Sequence, residues 1–238
     1  VRWATTPTPT REASGALTVP QGKVYKITKE NLEEPTPVRD QVLAASNAVA
    51  WNKANDRMYY VDTPSQKIVE VPYDDAKGEV FPVRNRTAFD VSRYASRIIG
   101  VPDGMTVDED DNLWVALQGG GSVVKVNPAT GDLLKVVPIP ARDVTSTMWG
   151  GPDLDVLFVT TSRRNLNEAE RMQQPGAGSV FAVTNLGTKG LPVYTADIID
   201  SIPKRKVFAA LTTHLATSGS GGDFENSATR PVPVLFWA

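Results

Sequence analysis

The feature of this sequence that most constrains its fold is a polar corner that recurs along the chain. Three corners share the pattern, and they contain Asn47, Asp103 and Ser146. An apolar strand pattern begins 10 or 11 residues after each corner, and an alternating strand pattern follows it across a turn. The corners are 56 and 43 residues apart, close to the length of a four-stranded propeller blade. The pattern therefore predicts an all-β fold, most simply a β-propeller.

The same pattern predicts how the chain is divided. Residues 1–200 are expected to form a partial propeller of about three and a half to four blades, which begin near residues 1, 47, 103 and 146. The longer first interval predicts an insertion over residues 84–99. The Gly- and Ser-rich residues 201–238 lack the repeat and are expected to form a poorly ordered tail.

Composition excludes several classes of function. Lys and Arg total 25 against 27 Asp and Glu, a balance without the basic stripe that nucleic acids or polybasic membrane contacts require. The chain has no cysteine, which excludes disulfides, thiolate zinc sites and thiol nucleophiles. The one histidine, His214, lies in the predicted tail, so a Ser-His-Asp triad is not expected. We expect neither a nucleic acid nor a membrane as partner.

Several motifs in one order resemble the family of regucalcin (senescence marker protein) and the gluconolactonases. The resemblance covers residues 44–195 and is carried by the segments 46–51, 59–62, 102–105, 113–116, 127–131, 174–181 and 186–190. It implies a six-bladed propeller with one divalent metal ion in its central channel. The implied activity is hydrolysis of a small-molecule sugar lactone, together with calcium binding.

The resemblance also implies particular site residues. Asn47 and Asp103 match two metal ligands of the family, whereas the third ligand, a glutamate, has no counterpart, as if the first two blades were absent. The family's substrate-holding Arg and Asn also fall upstream of Val1, and only Glu12 matches a further substrate-binding position. Read without the resemblance, Asn and Asp at the start of a strand more often cap turns.

The chemistry of these residues suits the implied reaction. Amide and carboxylate oxygens are ligands for hard cations, so calcium, magnesium, manganese and zinc are all candidates. A metal there would polarise the lactone carbonyl and make a bound water more acidic. Asp103 is the predicted catalytic residue, because its carboxylate can accept the proton of that water. A calcium-binding regulatory protein without turnover, or a propeller that serves as an interaction module, is the alternative.

Several smaller expectations concern single segments and the state of the protein. The acidic run 108–111 is interpreted as a solvated turn, Gly119–Gly121 as a tight hairpin, and residues 167–174 as the one helix. Tryptophans 51, 114 and 149 are expected between blades. The intact protein is expected to be monomeric and cytoplasmic, and the chain to be incomplete at its N-terminus. Because a partial ring exposes a strand edge and two blade faces, we expect marginal stability and aggregation.

Overall fold

A computed structural model describes residues 2–5, 24–28, 36–37 and 46–192 of this chain. Trp3–Pro192 group into one compact unit. Glu12, His214 and the predicted tail 201–238 lie outside the described residues. No helix in the described part of the chain has the length and apolar character needed to cross a bilayer.

The described strands fall into four consecutive groups. The first is a small sheet in the order β1-β2-β3, formed by β1 (Arg2–Thr5), β2 (Val24–Ile27) and β3 (Thr36–Pro37). It falls in the segment where the repeats predict the first, incomplete blade, which begins near residue 1.

The second group is the unit that begins with the Asn47 corner, and it is an antiparallel sheet. Its strands are β4 (Ser46–Trp51), β5 (Arg57–Asp62), β6 (Lys67–Asp74), the short β7 (Glu79–Val80) and β8 (Arg86–Asp90). Strand β8 pairs with β6 and completes four main strands. The predicted insertion over 84–99 is therefore wrong in part. The extra length comes from β7 and from two 3₁₀ turns, Pro82–Arg84 and Val91–Tyr94.

The third and fourth groups repeat the architecture. The unit with Asp103 contains β9 (Val101–Val107), β10 (Leu113–Gln118), β11 (Ser122–Asn127) and β12 (Asp132–Pro138), each antiparallel to the next. The unit with Ser146 contains β13 (Asp143–Gly150), β14 (Val156–Ser162) and β15 (Val180–Val183). Strand β10 of the first of these units pairs with β13 of the second through one residue pair, Gln118 with Asp143.

The core lies between the sheets, because their faces stack on one another. Strand β10 shows this best: residues 113–117 are all fully buried. Since side chains alternate along a strand, Leu113 and Val115 pack toward the preceding unit, whereas Trp114 and Ala116 pack toward the following one. A sheet covered on both faces is what the blade of a propeller requires. The chain is a partial β-propeller, as the repeats predicted.

Trp114 and Trp149 are buried and meet edge to face with ring centroids 5.3 Å apart, which confirms them as core residues between units. The Gly-rich segment at 119–121 does join two antiparallel strands. The predicted helix is α1 (Glu168–Gln173), which begins at a capping box formed by Asn167 and Glu170.

Candidate functional site

The predicted corners are β-bulges within the innermost strands. In β4, three residue steps from Ser46 to Val49 face two steps of β5. Strand β9 has the same extra residue between Pro102 and Met105, and β13 has one between Val144 and Ser146. A bulge re-aims one side chain out of the regular alternation. Each unit therefore carries its polar corner residues at an equivalent, specially oriented place.

The structure brings the side chains of Asn47 and Asp103 together. Although 56 residues separate them, the two side chains lie close enough for the Asn47 amide to favour the charged form of the Asp103 carboxylate. Strands β4 and β9, which belong to adjacent units, pack against each other along this line. The two side chains are half-buried, so they lie neither in bulk solvent nor in the apolar core. The fold therefore brings these two corner residues into one neighbourhood.

The Asp103 carboxyl is in an environment that does not favour its charge. Burial raises its pKa from 3.8 to about 6, and the neighbouring Asn47 amide offsets only part of this effect. An amide is a weak partner for a carboxylate compared with a cation. A positive ion beside Asp103 would reverse the balance and favour the charged form.

The third corner is packed against the second. Gly104, the second residue of the β9 bulge, lies directly against Ser146 of the β13 bulge. A Cβ at position 104 would overlap both the backbone and the side chain of Ser146. Glycine is required here for space, because only a missing side chain allows the two bulges to approach so closely. The role of Gly104 could have been suspected from the Pro-Asp-Gly motif.

Thr63, which the sequence analysis did not single out, connects the first two corners. It directly follows β5, and its hydroxyl lies 3.4 Å from Asn47 Nδ2 and 2.9 Å from the carbonyl oxygen of Pro102. Pro102 immediately precedes Asp103. No sequence pattern indicates such a residue, because its partners are 16 and 39 positions away.

The donor atoms partly fit a divalent metal ion. Asn47 offers an amide oxygen and Asp103 a carboxylate, the ligand types that hard cations prefer. Among the described residues no three His, Cys, Asp or Glu side chains gather in one place, so these two residues alone do not complete a coordination sphere. The raised pKa of Asp103 supports the fit, since it identifies a carboxyl group whose negative charge the protein leaves poorly compensated. Their role as metal ligands stays a prediction, as does that of Glu12.

The prediction that the acidic run 108–111 is a solvated turn is wrong for Asp108. Asp108 is completely buried and not part of a solvated turn. Its carboxylate accepts hydrogen bonds from Trp114 Nε1 at 2.9 Å and from the backbone N–H of Asn112 at 2.9 Å, and it pairs with Lys125 Nζ at 2.8 Å. Glu109 and Asp110 are exposed, as expected.

Fold and corners together define a propeller protein with a polar site where its innermost strands meet. The family model described as the SMP-30/gluconolactonase/LRE-like region matches residues 2–163. The chain belongs to this family, which confirms the resemblance seen in its motifs.

Individual relatives agree with this assignment. A Bacillus subtilis protein named "Putative sugar lactone lactonase YvrE" is 40% identical over 162 residues, which cover 68% of this chain and 52% of the relative. Regucalcin of Sus scrofa is 34% identical over 174 residues, covering 73% of this chain and 55% of the relative. The chain thus spans about half the length of the curated relatives it matches.

Solved structures support the fold. A luciferin-regenerating enzyme superimposes with a TM-score of 0.68 at 29% identity, covering 79% of this chain and 59% of that protein. A calcium-binding regucalcin from Agrobacterium tumefaciens gives a TM-score of 0.65 at 23% identity, covering 75% of this chain and 58% of that protein, a likeness of fold.

Proposed function

We propose that this chain provides the metal- and substrate-binding surface for the divalent-metal-dependent hydrolysis of sugar lactones, with calcium among the ions it binds. The observation that carries the proposal is the proximity of Asn47 and Asp103, two oxygen-bearing residues from different units at equivalent bulges that Thr63 bridges. Family membership and the name of the Bacillus relative support the reaction class.

In this proposal each residue has a distinct task. Asn47 and Asp103 would hold the ion, which supplies Lewis-acid chemistry when bound. The Asp103 carboxylate would also accept a proton from the water that attacks the lactone carbonyl. Gly104 keeps the Ser146 bulge close to the bulge that carries Asp103. A low local dielectric strengthens the attraction between a carboxylate and a cation.

Metal binding is the first test, because it does not require a complete catalytic apparatus. Isothermal titration of the purified chain with Ca²⁺, Mn²⁺, Mg²⁺ and Zn²⁺ should show binding of one ion. Asn47→Ala and Asp103→Asn should each weaken binding at least tenfold, since each removes a ligand oxygen or the charge. Asp153→Asn, an exposed aspartate in a turn, is the matched control and should bind as the wild type does.

Lactone hydrolysis is the second test. Acid release from gluconolactone is followed with each ion and with a chelated control, and the variant Asp103→Asn should lose the metal-dependent rate. Unchanged metal affinity and hydrolysis in this variant would contradict the site. Binding without any turnover would favour the alternative, a calcium-binding protein without catalytic activity.

A further inference from the structure

Thr63 is the residue at which the first two units are tied together beside the proposed metal site. It is half-buried and occupies the first position of a 3₁₀ turn, Thr63–Ser65, that follows β5. One hydroxyl contacts both corners: Asn47 in the β4 bulge and the carbonyl oxygen of Pro102 in the β9 bulge.

The single proton of this hydroxyl fixes the direction of both hydrogen bonds. A backbone carbonyl can only accept, so Thr63 must donate to Pro102, at 2.9 Å. Toward Asn47 the Thr63 oxygen can then only accept, and it is the amide nitrogen, at 3.4 Å, that faces it. An inverted amide would place Oδ1 against an oxygen that has no proton to offer.

This arrangement decides which atom of Asn47 is available to a cation. One N–H group of the amide faces Thr63, and the amide also lies close enough to the Asp103 carboxylate to favour its charged form. Among the described residues no donor approaches Asn47 Oδ1, which remains available as a ligand atom. An ion held by the Asp103 carboxylate would compensate its charge, so the carboxylate would depend less on the Asn47 N–H. The Thr63 oxygen would still accept an N–H from Asn47, because the hydroxyl proton is donated to the carbonyl oxygen of Pro102.

We propose that Thr63 is a positioning residue of the metal site. It orients the Asn47 amide so that Oδ1 is available to the ion, and its hydrogen bond to the Pro102 carbonyl holds the β9 bulge with Asp103 beside the β4 bulge. The inference rests on the proposed function. Groups that orient metal ligands in this way typically change metal affinity 10- to 100-fold when they are removed.

Two substitutions and a matched control test the proposal. Thr63→Val keeps the shape and removes the hydroxyl, whereas Thr63→Ser keeps the hydroxyl. Thr161 is the control, because its hydroxyl also donates to a carbonyl, that of Ser179 at 2.8 Å, and accepts from a backbone N–H, that of Gly178 at 3.0 Å. Titration of the full chain with Mn²⁺ and Ca²⁺ should show 10- to 100-fold weaker binding for Thr63→Val. Thr63→Ser and Thr161→Val should stay within about threefold of the wild type.

A second measurement needs no metal. In the metal-free, ¹⁵N-asparagine-labelled chain, the side-chain amide protons of Asn47 should exchange with water about tenfold faster in Thr63→Val, because one N–H loses its acceptor. Thr63→Ser and Thr161→Val should leave the exchange rate unchanged. Thermal melts of all variants show whether each is folded.

The outcomes separate this inference from the proposed function. If the wild-type chain binds none of the ions, the proposed function fails and the metal role of Thr63 fails with it. If the wild type binds, but Thr63→Val binds equally well or Thr63→Ser is as weak as Thr63→Val, the positioning role is overturned. Unchanged amide exchange in Thr63→Val overturns it independently of any metal.

Discussion

Two aspartates five residues apart show opposite ways of placing a carboxylate inside this fold. Burial alone would raise the pKa of Asp108, but Lys125, Trp114 and the backbone at Asn112 outweigh it and hold the pKa below its usual value. Asp103 has only the Asn47 amide against its burial, and its pKa rises to about 6. The protein itself satisfies Asp108, which makes it a structural anchor. Asp103 is left with a charge that an external cation could compensate.

The largest effect is expected from Asp108→Asn. The variant leaves the Lys125 ammonium, whose side chain is only 17% exposed, without its carboxylate. Removing one partner of a buried ion pair costs about 3–5 kcal/mol of unfolding free energy. Urea unfolding checks this value. Asp110→Asn, in the same turn but exposed, should change stability by less than about 0.5 kcal/mol. If the two variants lose the same free energy of unfolding, Asp108 is not a structural anchor.

Gly104→Ala should have the second largest effect on stability. It should disturb the surroundings of Asp103 and leave those of Asp108 unchanged. The added methyl group overlaps Ser146, so the two bulges must separate, at a cost of roughly 2–3 kcal/mol. Metal affinity should fall with stability, because Asp103 is the adjacent residue. Gly187→Ala is the control: its Cβ would have open space, although the backbone φ is +75°. It should cost roughly 1 kcal/mol and leave metal affinity intact. Equal affinity in both variants would contradict the role of the bulge.

The smallest effect is a gain in stability from Asp103→Asn in the metal-free chain. Because the native pKa of about 6 exceeds the ordinary value of 3.8, the native state binds more protons between these pH values. The free energy of unfolding therefore falls as pH rises through this window, and the contribution of the protonated group is lost above about pH 6. The neutral variant avoids this loss.

Thermal melts at pH 4.5 and pH 7.5 measure the effect. At pH 7.5 we expect the variant to gain about 1 kcal/mol, or roughly 2–4 °C, since partial exposure reduces the full effect. The gain should shrink at pH 4.5 and should be absent from Asp153→Asn at both values. A loss of stability at pH 7.5 would mean that Asp103 is satisfied in the same way as Asp108.

Much of the fold could be predicted because its signals are local. The strand patterns after each corner, the glycine hairpin at 119–121 and the capped helix α1 depend on residues only a few positions apart. Local signals could not predict that residues 86–90 form a strand. They become β8 because they pair with β6, about 20 residues earlier in the chain. Such a segment becomes a strand only if the edge of a neighbouring strand is free to pair with it.

The candidate site, like the fold, could be predicted only in part from the sequence. The sequence by itself determined the repeat, the all-β architecture and the two corner residues Asn47 and Asp103, since composition and spacing are properties of the chain. Only the tertiary structure decided that the corners are bulges, that Thr63 joins them and that Asp108 is buried. The physical reason is that hydrogen bonding and burial depend on partners from other units, whose distances are set when the sheets pack.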